Sequence, residues 1–242
     1  MGGGRMNRAG AILANRDAMS IHREVEVKLR VADAAAVRRK LAKLGAKTGA
    51  SGRVHEMNTV FDTPQGGLAK HGQLLRIRVV KGGKGRKGGR GVRGKEGPRA
   101  VLTFKGPAEG IVPGAITGAN ERYKIREERE IELNDPEGLK QILEALGLRG
   151  WFRYEKYRTT YAFPKSQRWA AGLQVMMDET PIGSFLELEG PREAIDRAAE
   201  VLGFDRGEYI TKSYLALYID DCRRRGMEPK EMVFGAERRR KE

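Results

Sequence analysis

Two carboxylates and an ammonium group stand at alternate positions near the start of the chain, as Glu24, Glu26 and Lys28. Apolar residues fill the positions between them, so residues 21–30 are predicted to form a strand with one apolar and one charged face. Residues two apart on a strand are roughly 6.6–6.8 Å apart, so both glutamates can lean onto one hard cation. Lys28 would then meet an anion bound to that cation. The alternative is a solvated strand face of mixed charge.

A second pair of alternating glutamates, Glu187 and Glu189, has leucines opposite and follows Asp178 at the end of a predicted strand. Between the two glutamate pairs lie Arg76 and Arg78, again two residues apart. Carboxylates suit hard divalent cations, whereas arginine can bind phosphate oxygens bidentately, so the mixture suits a metal–polyphosphate complex. The candidate carboxylates are Glu24, Glu26, Glu130, Asp178, Glu187 and Glu189, and the candidate cations are Lys28, Arg76, Arg78, Lys105 and Arg158.

The periodicity predicts eight strands and about four helices, an α+β composition. The strands are predicted at 21–31, 55–63, 73–80, 99–106, 121–133, 151–163, 172–178 and 183–190. The helices are predicted at 33–44, from Pro136 to Gly147, from Pro191 to Gly203, and at 212–225. Most consecutive strands are joined by hairpin-like turns, so the sheet should be largely antiparallel.

Almost every predicted strand has one apolar face and one charged face. The helices can cover the apolar face. In an open sheet the charged face would contact water, whereas in a closed eight-stranded barrel it would point into the lumen. Because burying isolated charges costs several kcal/mol each, such a lumen must be wet, ion-paired and liganded.

The net charge of +15 is concentrated in three segments poor in apolar residues. Residues 81–98 carry +6, residues 223–242 carry +4 and residues 1–20 carry +2, which leaves +3 for the rest of the chain. We therefore predict a disordered head (1–20), a single domain (21–222) with a flexible basic loop (81–98), and a basic, solvated tail (223–242). Nucleic acid could bind only through that loop and tail.

The remaining composition indicates a cytoplasmic protein. One cysteine, Cys222, excludes an internal disulfide and suits a reducing compartment. No apolar run approaches the ~20 residues of a membrane span, and no secretory signal is evident.

The charged motifs resemble those of the CYTH superfamily, the triphosphate tunnel metalloenzymes, over residues 21–220. The resemblance rests on Glu24-Val-Glu26-Val-Lys28, Phe61-Asp62-Thr63, Leu75-Arg76-Ile77-Arg78, Leu102-Thr103-Phe104-Lys105, Lys156-Tyr157-Arg158, Asp178, Glu187-Leu188-Glu189 and Lys212-Ser213-Tyr214. It implies an eight-stranded antiparallel tunnel with helices outside. It implies that Mg²⁺ or Mn²⁺ is held by Glu24, Glu26, Asp178, Glu187 and Glu189. It implies that the triphosphate is gripped by Lys28, Arg76, Arg78, Lys105, Arg158 and Lys212.

The resemblance predicts an enzyme, with Glu24, Glu26 and Lys28 as catalytic residues. Three further residues either line the tunnel or merely pair with each other: Arg126 and Lys156 as triphosphate ligands, and Glu130 as a metal ligand. Hydrolysis of inorganic triphosphate, thiamine triphosphate or a nucleoside triphosphate is the first hypothesis. The second is cyclisation of ATP to cyclic AMP and pyrophosphate, and the third is a module that binds polyphosphate or RNA. The sequence leaves open whether the chain is a monomer or a homodimer.

Overall fold

The computed structural model describes residues 20–82, 99–109 and 122–235. Its strands are β1 (Ser20–Val31), β2 (Lys47–Asp62), β3 (Leu74–Lys81), β4 (Arg99–Lys105), β5 (Lys124–Leu133), β6 (Arg149–Ala162), β7 (Gln174–Thr180) and β8 (Gly183–Glu189). Its helices are α1 (Ala34–Lys43), α2 (Gly67–Lys70), α3 (Pro136–Ala145), α4 (Arg192–Leu202) and α5 (Tyr214–Arg224), with short 3-10 turns at Arg168–Ala170 and Arg206–Glu208. Within these ranges no helix is long and apolar enough to cross a membrane.

The eight strands close into an antiparallel barrel in the order β1-β5-β4-β3-β2-β6-β7-β8, with β8 returning to β1. The closing strand β1 shows how tightly register is fixed, because Glu26 faces Lys124 on one neighbour and Glu189 on the other. A one-residue slip would turn every charged side chain of a strand outward. The predicted α+β fold with a closed barrel is therefore confirmed.

The outer face of the barrel carries the main apolar core. Helices α1 and α4 cover it. The fully buried side chains between the barrel and these helices include Leu29, Leu41, Leu186 and Ile195. At the start of α1 the carboxylate of Asp33 accepts a hydrogen bond from the backbone N–H of Ala36, which satisfies a free donor of the first turn. Apolar packing outside leaves the inner face free for charged side chains.

One end of the barrel is capped by α5. The side chains of Val60, Phe152 and Phe185 lie on the same strand faces as those that line the lumen, so they face inward. These three residues form one buried cluster with Tyr214 and Tyr218 of α5. The helix therefore fills this end of the barrel with apolar contacts, and the opposite end is left for access.

Two elements differ from the sequence prediction. Strand β2 begins at Lys47 rather than at residue 55, because its first part pairs with β6 even though its sequence does not alternate. The pairing shifts register between Thr48 and Arg53, which accommodates the glycines in this stretch. Helix α2 replaces part of a predicted turn, and its first N–H groups are satisfied by Thr63 and Asp62.

The predicted solvated tail is wrong for its first part. Met232 is buried, forms a parallel bridge with Tyr154, and exchanges backbone hydrogen bonds with β6. The ring of Phe234 contacts that of Tyr157 at a centroid distance of 5.1 Å. Because these two apolar side chains pack against β6, the first part of the basic tail lies on the barrel up to Gly235. Residues 236–242, the head up to residue 19 and residues 83–98 of the basic loop lie outside the described residues.

The end of β8 depends on a glycine, which gives a stability prediction. Gly190 has φ +145°, and a Cβ there would lie 2.6 Å from the carbonyl oxygen of Gly172. We expect Gly190→Ala to lower the free energy of unfolding by roughly 2–3 kcal/mol, because strain and overlap add. Gly52→Ala is the control, since Gly52 also has positive φ (+62°) but has no atom within 4 Å of the added Cβ. Urea unfolding should show the smaller loss for Gly52→Ala, and equal losses would contradict the predicted overlap.

Candidate functional site

A cavity of about 210 Å³ occupies the barrel lumen. Its charged lining consists of Glu24, Glu26, Lys28, Arg76, Arg78, Lys105, Lys124, Arg126, Glu128, Glu130, Lys156, Arg158, Glu187 and Glu189. The other lining residues are Leu74, Tyr154, Gln174, Met176, Ser213 and Tyr214. Strand alternation puts the charged residues on the inner face, so the structure brings together twelve of the fourteen predicted site residues.

The carboxylates of β1 are neutralised by lysines of β1, β4 and β5. Glu24 accepts from the ammonium of Lys105 at 2.7 Å, while Glu26 accepts from Lys28 at 3.0 Å and from Lys124 at 2.9 Å. Burial alone would raise the pKa of Glu26, but the two lysines beside it hold that pKa well below its usual range. Glu26 is therefore ionised in the folded protein.

The negative charge of Glu189 is poorly compensated by nearby cations. Burial raises its pKa to about 7, and the carboxylates of Glu24, Glu128 and Glu26 add to that rise against the opposing effect of Lys105. Glu26 and Glu189 are direct cross-strand partners. This corner of the cavity thus has an excess of negative charge that a divalent cation would relieve.

Three arginines have an unused hydrogen-bond donor in the lumen. The Nε atoms of Arg76, Arg78 and Arg126 are buried, and none has a hydrogen-bond acceptor among the described residues. The Arg76 guanidinium is oriented by the hydroxyl groups of Tyr154 at 2.9 Å and Thr103 at 3.1 Å. A buried donor without an acceptor costs about 1–3 kcal/mol, which an anion entering the cavity would recover.

Asp178 was predicted to bind metal, but the structure places it behind the cavity wall with all its oxygens occupied. This fully buried carboxylate accepts from Lys156 at 2.8 Å, from Arg158 at 2.7 Å and from the hydroxyl of Tyr214 at 2.7 Å. Arg158 also forms an ion pair with Glu187, which leaves that glutamate occupied as well. Asp178 is therefore an anchor for two cations rather than a free metal ligand.

Lys212 is the second predicted residue that does not line the cavity. Its ammonium lies 2.7 Å from the carboxylate of Asp220, and its side chain is 60% exposed. Lys212 precedes Ser213, the N-cap of α5, and so it points along the outside of the helix rather than into the lumen. In this structure its ammonium is therefore paired outside the cavity.

Several site residues were missed in the sequence. Lys124 and Glu128 have the same strand parity as Arg126, so the alternation of β5 could have identified them. Glu56 lies behind the lumen, where Arg78, Lys156 and Arg158 hold its pKa well below the usual range against the raising effect of burial. Tyr154 has the same strand parity as Lys156 and Arg158, and Tyr214 belongs to a family motif, but an aromatic residue in a strand or helix is usually a packing residue and neither was predicted in the site.

No three carboxylate, histidine or cysteine side chains among the described residues converge as a ready-made metal cage. The residues nonetheless fit a hard divalent cation, because Glu24, Glu26 and Glu189 bring oxygen ligands to the corner with excess negative charge. In this structure Lys28, Lys105 and Lys124 pair with two of these carboxylates.

The closed barrel with an ion-lined lumen defines an α+β tunnel protein. The sequence model of the CYTH domain matches residues 22–214, so the chain belongs to the CYTH family. This finding confirms the resemblance seen in the motifs. The family is enzymatic, its members are typically metal-dependent, and triphosphate-related activity is supported in general terms.

Solved structures share the fold at low sequence identity. A protein of Pyrococcus horikoshii aligns at TM-score 0.61 and 22% identity, covering 82% of this chain and 99% of its own. A candidate adenylate cyclase of Vibrio parahaemolyticus aligns at TM-score 0.56 and 17% identity, covering 79% and 94%. A Hippeastrum protein described as having a dominant triphosphatase activity aligns at TM-score 0.50 and 20% identity, covering 85% and 97%. No curated protein resembles the chain closely enough to count as a match.

Proposed function

We propose that the chain hydrolyses a triphosphate in the barrel cavity with Mg²⁺ or Mn²⁺ as cofactor. The observation that carries the proposal is the set of three buried arginine Nε–H groups without an acceptor, at Arg76, Arg78 and Arg126. Polyphosphate supplies several closely spaced anionic acceptors, and the planar guanidinium suits phosphate oxygens. Two of these groups lie near a carboxylate without forming a hydrogen bond, since the Nε of Arg78 is 3.7 Å from Glu56 and that of Arg126 is 3.8 Å from Glu24.

The other lumen cations complete the clamp. Lys28, Lys105, Lys156 and Arg158 surround the same cavity, each now paired with a carboxylate. Cations held in place by fixed partners need no reorganisation when charge develops on the phosphoryl oxygens. These residues bind and orient the substrate, while the capped end of the barrel limits access of bulk water.

The metal would be held by Glu24, Glu26 and Glu189. When bound, it would neutralise phosphate oxygens and lower the pKa of a water molecule for attack on the phosphoryl group. Glu130 lines the cavity but accepts from Thr103, and the buried oxygens of Asp178 are occupied, so neither belongs to this proposed set.

Hydrolysis is favoured over cyclisation by the character of the lining. Its two aromatic residues in the described part of the chain, Tyr154 and Tyr214, use their hydroxyl groups to hold Arg76 and Asp178. An adenylate cyclase must also hold an adenosine, and the charged walls give no aromatic platform for its base. Binding of RNA through the basic loop and tail stays a hypothesis.

A substrate assay tests the proposed function. With Mg²⁺ or Mn²⁺, we expect tripolyphosphate to release phosphate and pyrophosphate, and we expect removal of metal with EDTA to abolish turnover. The same protein should be given thiamine triphosphate and ATP, with chromatography of the products. Cyclic AMP and pyrophosphate from ATP would instead support the cyclase hypothesis. Binding of tripolyphosphate without any metal-dependent product would overturn the enzymatic proposal.

A further inference from the structure

Tyr214 connects the capping helix to the lumen. It is the first residue of α5, is buried, and lines the cavity. Its hydroxyl donates to Asp178 at 2.7 Å. The face of its ring lies 5.4 Å from the ammonium of Lys28 and 5.1 Å from that of Lys156, within the range of cation–π attraction. One side chain thus contacts two lumen lysines and the anchor of a third cation.

The hydrogen bond to Asp178 affects how that carboxylate holds its cations. One oxygen, Oδ2, accepts from Lys156, Arg158 and Tyr214 together. The phenol therefore shares the negative charge with the two cations. Without its hydroxyl, the carboxylate would draw Lys156 and Arg158 more strongly toward the wall and away from a phosphate in the lumen.

We propose that Tyr214 is a positioning residue for the triphosphate, which sets the orientation of Lys156 and Arg158 through Asp178 and of Lys28 through its ring. This inference rests on the proposed function, because it assigns those three cations to the substrate. It adds a role for α5, because the hydroxyl and ring of Tyr214 would affect how strongly the cations at the capped end bind the triphosphate.

The position of Tyr214 is fixed by the packing of its helix. The side chain of Ser213 caps α5 by accepting from the N–H of Ala216 at 3.2 Å. The ring of Tyr214 packs against Phe185 at a centroid distance of 5.5 Å, and against Tyr154 at 6.3 Å. These contacts depend on the ring and not on the hydroxyl, so Tyr214→Phe should keep the helix in place.

The experiment compares Tyr214→Phe with Tyr218→Phe. Tyr218 lies one turn further along α5 in the same apolar cluster, but its hydroxyl donates to the carbonyl of Glu231 at 3.1 Å, outside the lumen. Calorimetric titration of the EDTA-treated proteins with tripolyphosphate should give a Kd about tenfold higher for Tyr214→Phe, as expected when a hydrogen bond to a charged group is lost. Tyr218→Phe should bind like the wild type. With metal, Tyr214→Phe should lower kcat/KM by about tenfold, because the cations that it positions hold the triphosphate in both the ground state and the transition state.

The outcomes separate this inference from the proposed reaction. Wild-type affinity in Tyr214→Phe would overturn the positioning role even if hydrolysis is observed. Equal weakening in both variants would also overturn it, since that result indicates general loosening of α5. A wild-type protein that binds tripolyphosphate without hydrolysing it would refute the reaction and leave the comparison of variants valid. A wild-type protein that does not bind it would overturn both.

Discussion

Replacing Glu26 with glutamine should lower metal-dependent turnover of the triphosphate by at least ~100-fold, the scale seen when one preorganised electrostatic group is removed from an active site. The carboxylate of Glu26 is buried, ionised, and shared between the ammonium groups of Lys28 and Lys124. It is also one of the three oxygen donors that we assign to the metal. Glutamine has nearly the same shape but no charge, so it would weaken both the metal site and the orientation of the two lysines.

The matched control is Glu132→Gln, at the exposed end of β5. Glu132 pairs with Arg99, and its side chain is 73% exposed, so the loss of this pair should change neither stability nor turnover measurably. Phosphate release at saturating metal measures activity, and circular dichroism checks that Glu26→Gln remains folded. A folded Glu26→Gln variant with full activity would remove Glu26 from the proposed metal site.

The second large effect should be on stability. We expect Asp178→Asn to lower the free energy of unfolding by about 3–5 kcal/mol, the usual cost of removing one partner from a buried ion pair. Lys156 and Arg158 would lose the charge that compensates their burial, and Tyr214 would lose its acceptor. Urea unfolding followed by tyrosine and tryptophan fluorescence measures the change.

The next residue in the chain provides the comparison. Glu179 also pairs with two arginines, Arg38 and Arg53, but this cluster lies at the protein surface. We expect Glu179→Gln to cost less than about 1 kcal/mol, because solvent screens exposed ion pairs. If the two variants lost similar stability, the lumen would be as well solvated as the surface, and Asp178 would not be a buried anchor.

Most of what could be predicted from the sequence came from the alternation of apolar and charged residues along the strands. It places each strand side chain on one face of the sheet or the other, so the inner faces of β1, β3 and β8 followed from residue type and spacing, whereas the closed barrel was implied by the family resemblance. The register of the strands could not be predicted from alternation, because only the paired structure shows that Glu26 lies between Lys124 and Glu189. The irregular start of β2 was missed because its partner β6 imposes the pairing.

Strand alternation does not show how deeply a side chain is buried or which other groups already pair with it. Asp178 is on the predicted inner side of β7, yet in this structure its oxygens accept from three side chains. Lys212 belongs to a family motif, but the helix that follows carries its ammonium to Asp220. Packing of Met232 on β6 depends on a few apolar residues in a basic stretch, where net charge dominates the composition. Such outcomes depend on three-dimensional neighbours that no local pattern records.

The cap formed by α5 has a kinetic consequence. Since Val60, Phe152 and Phe185 pack against the helix at that end, we expect molecules to enter and leave the lumen at the other end. A triphosphate hydrolysed there, as we propose, would enter and its products would leave through the same opening, so each product would have to leave before another substrate molecule enters. A long anionic polymer would then insert only one of its ends into the lumen and would not pass through the barrel.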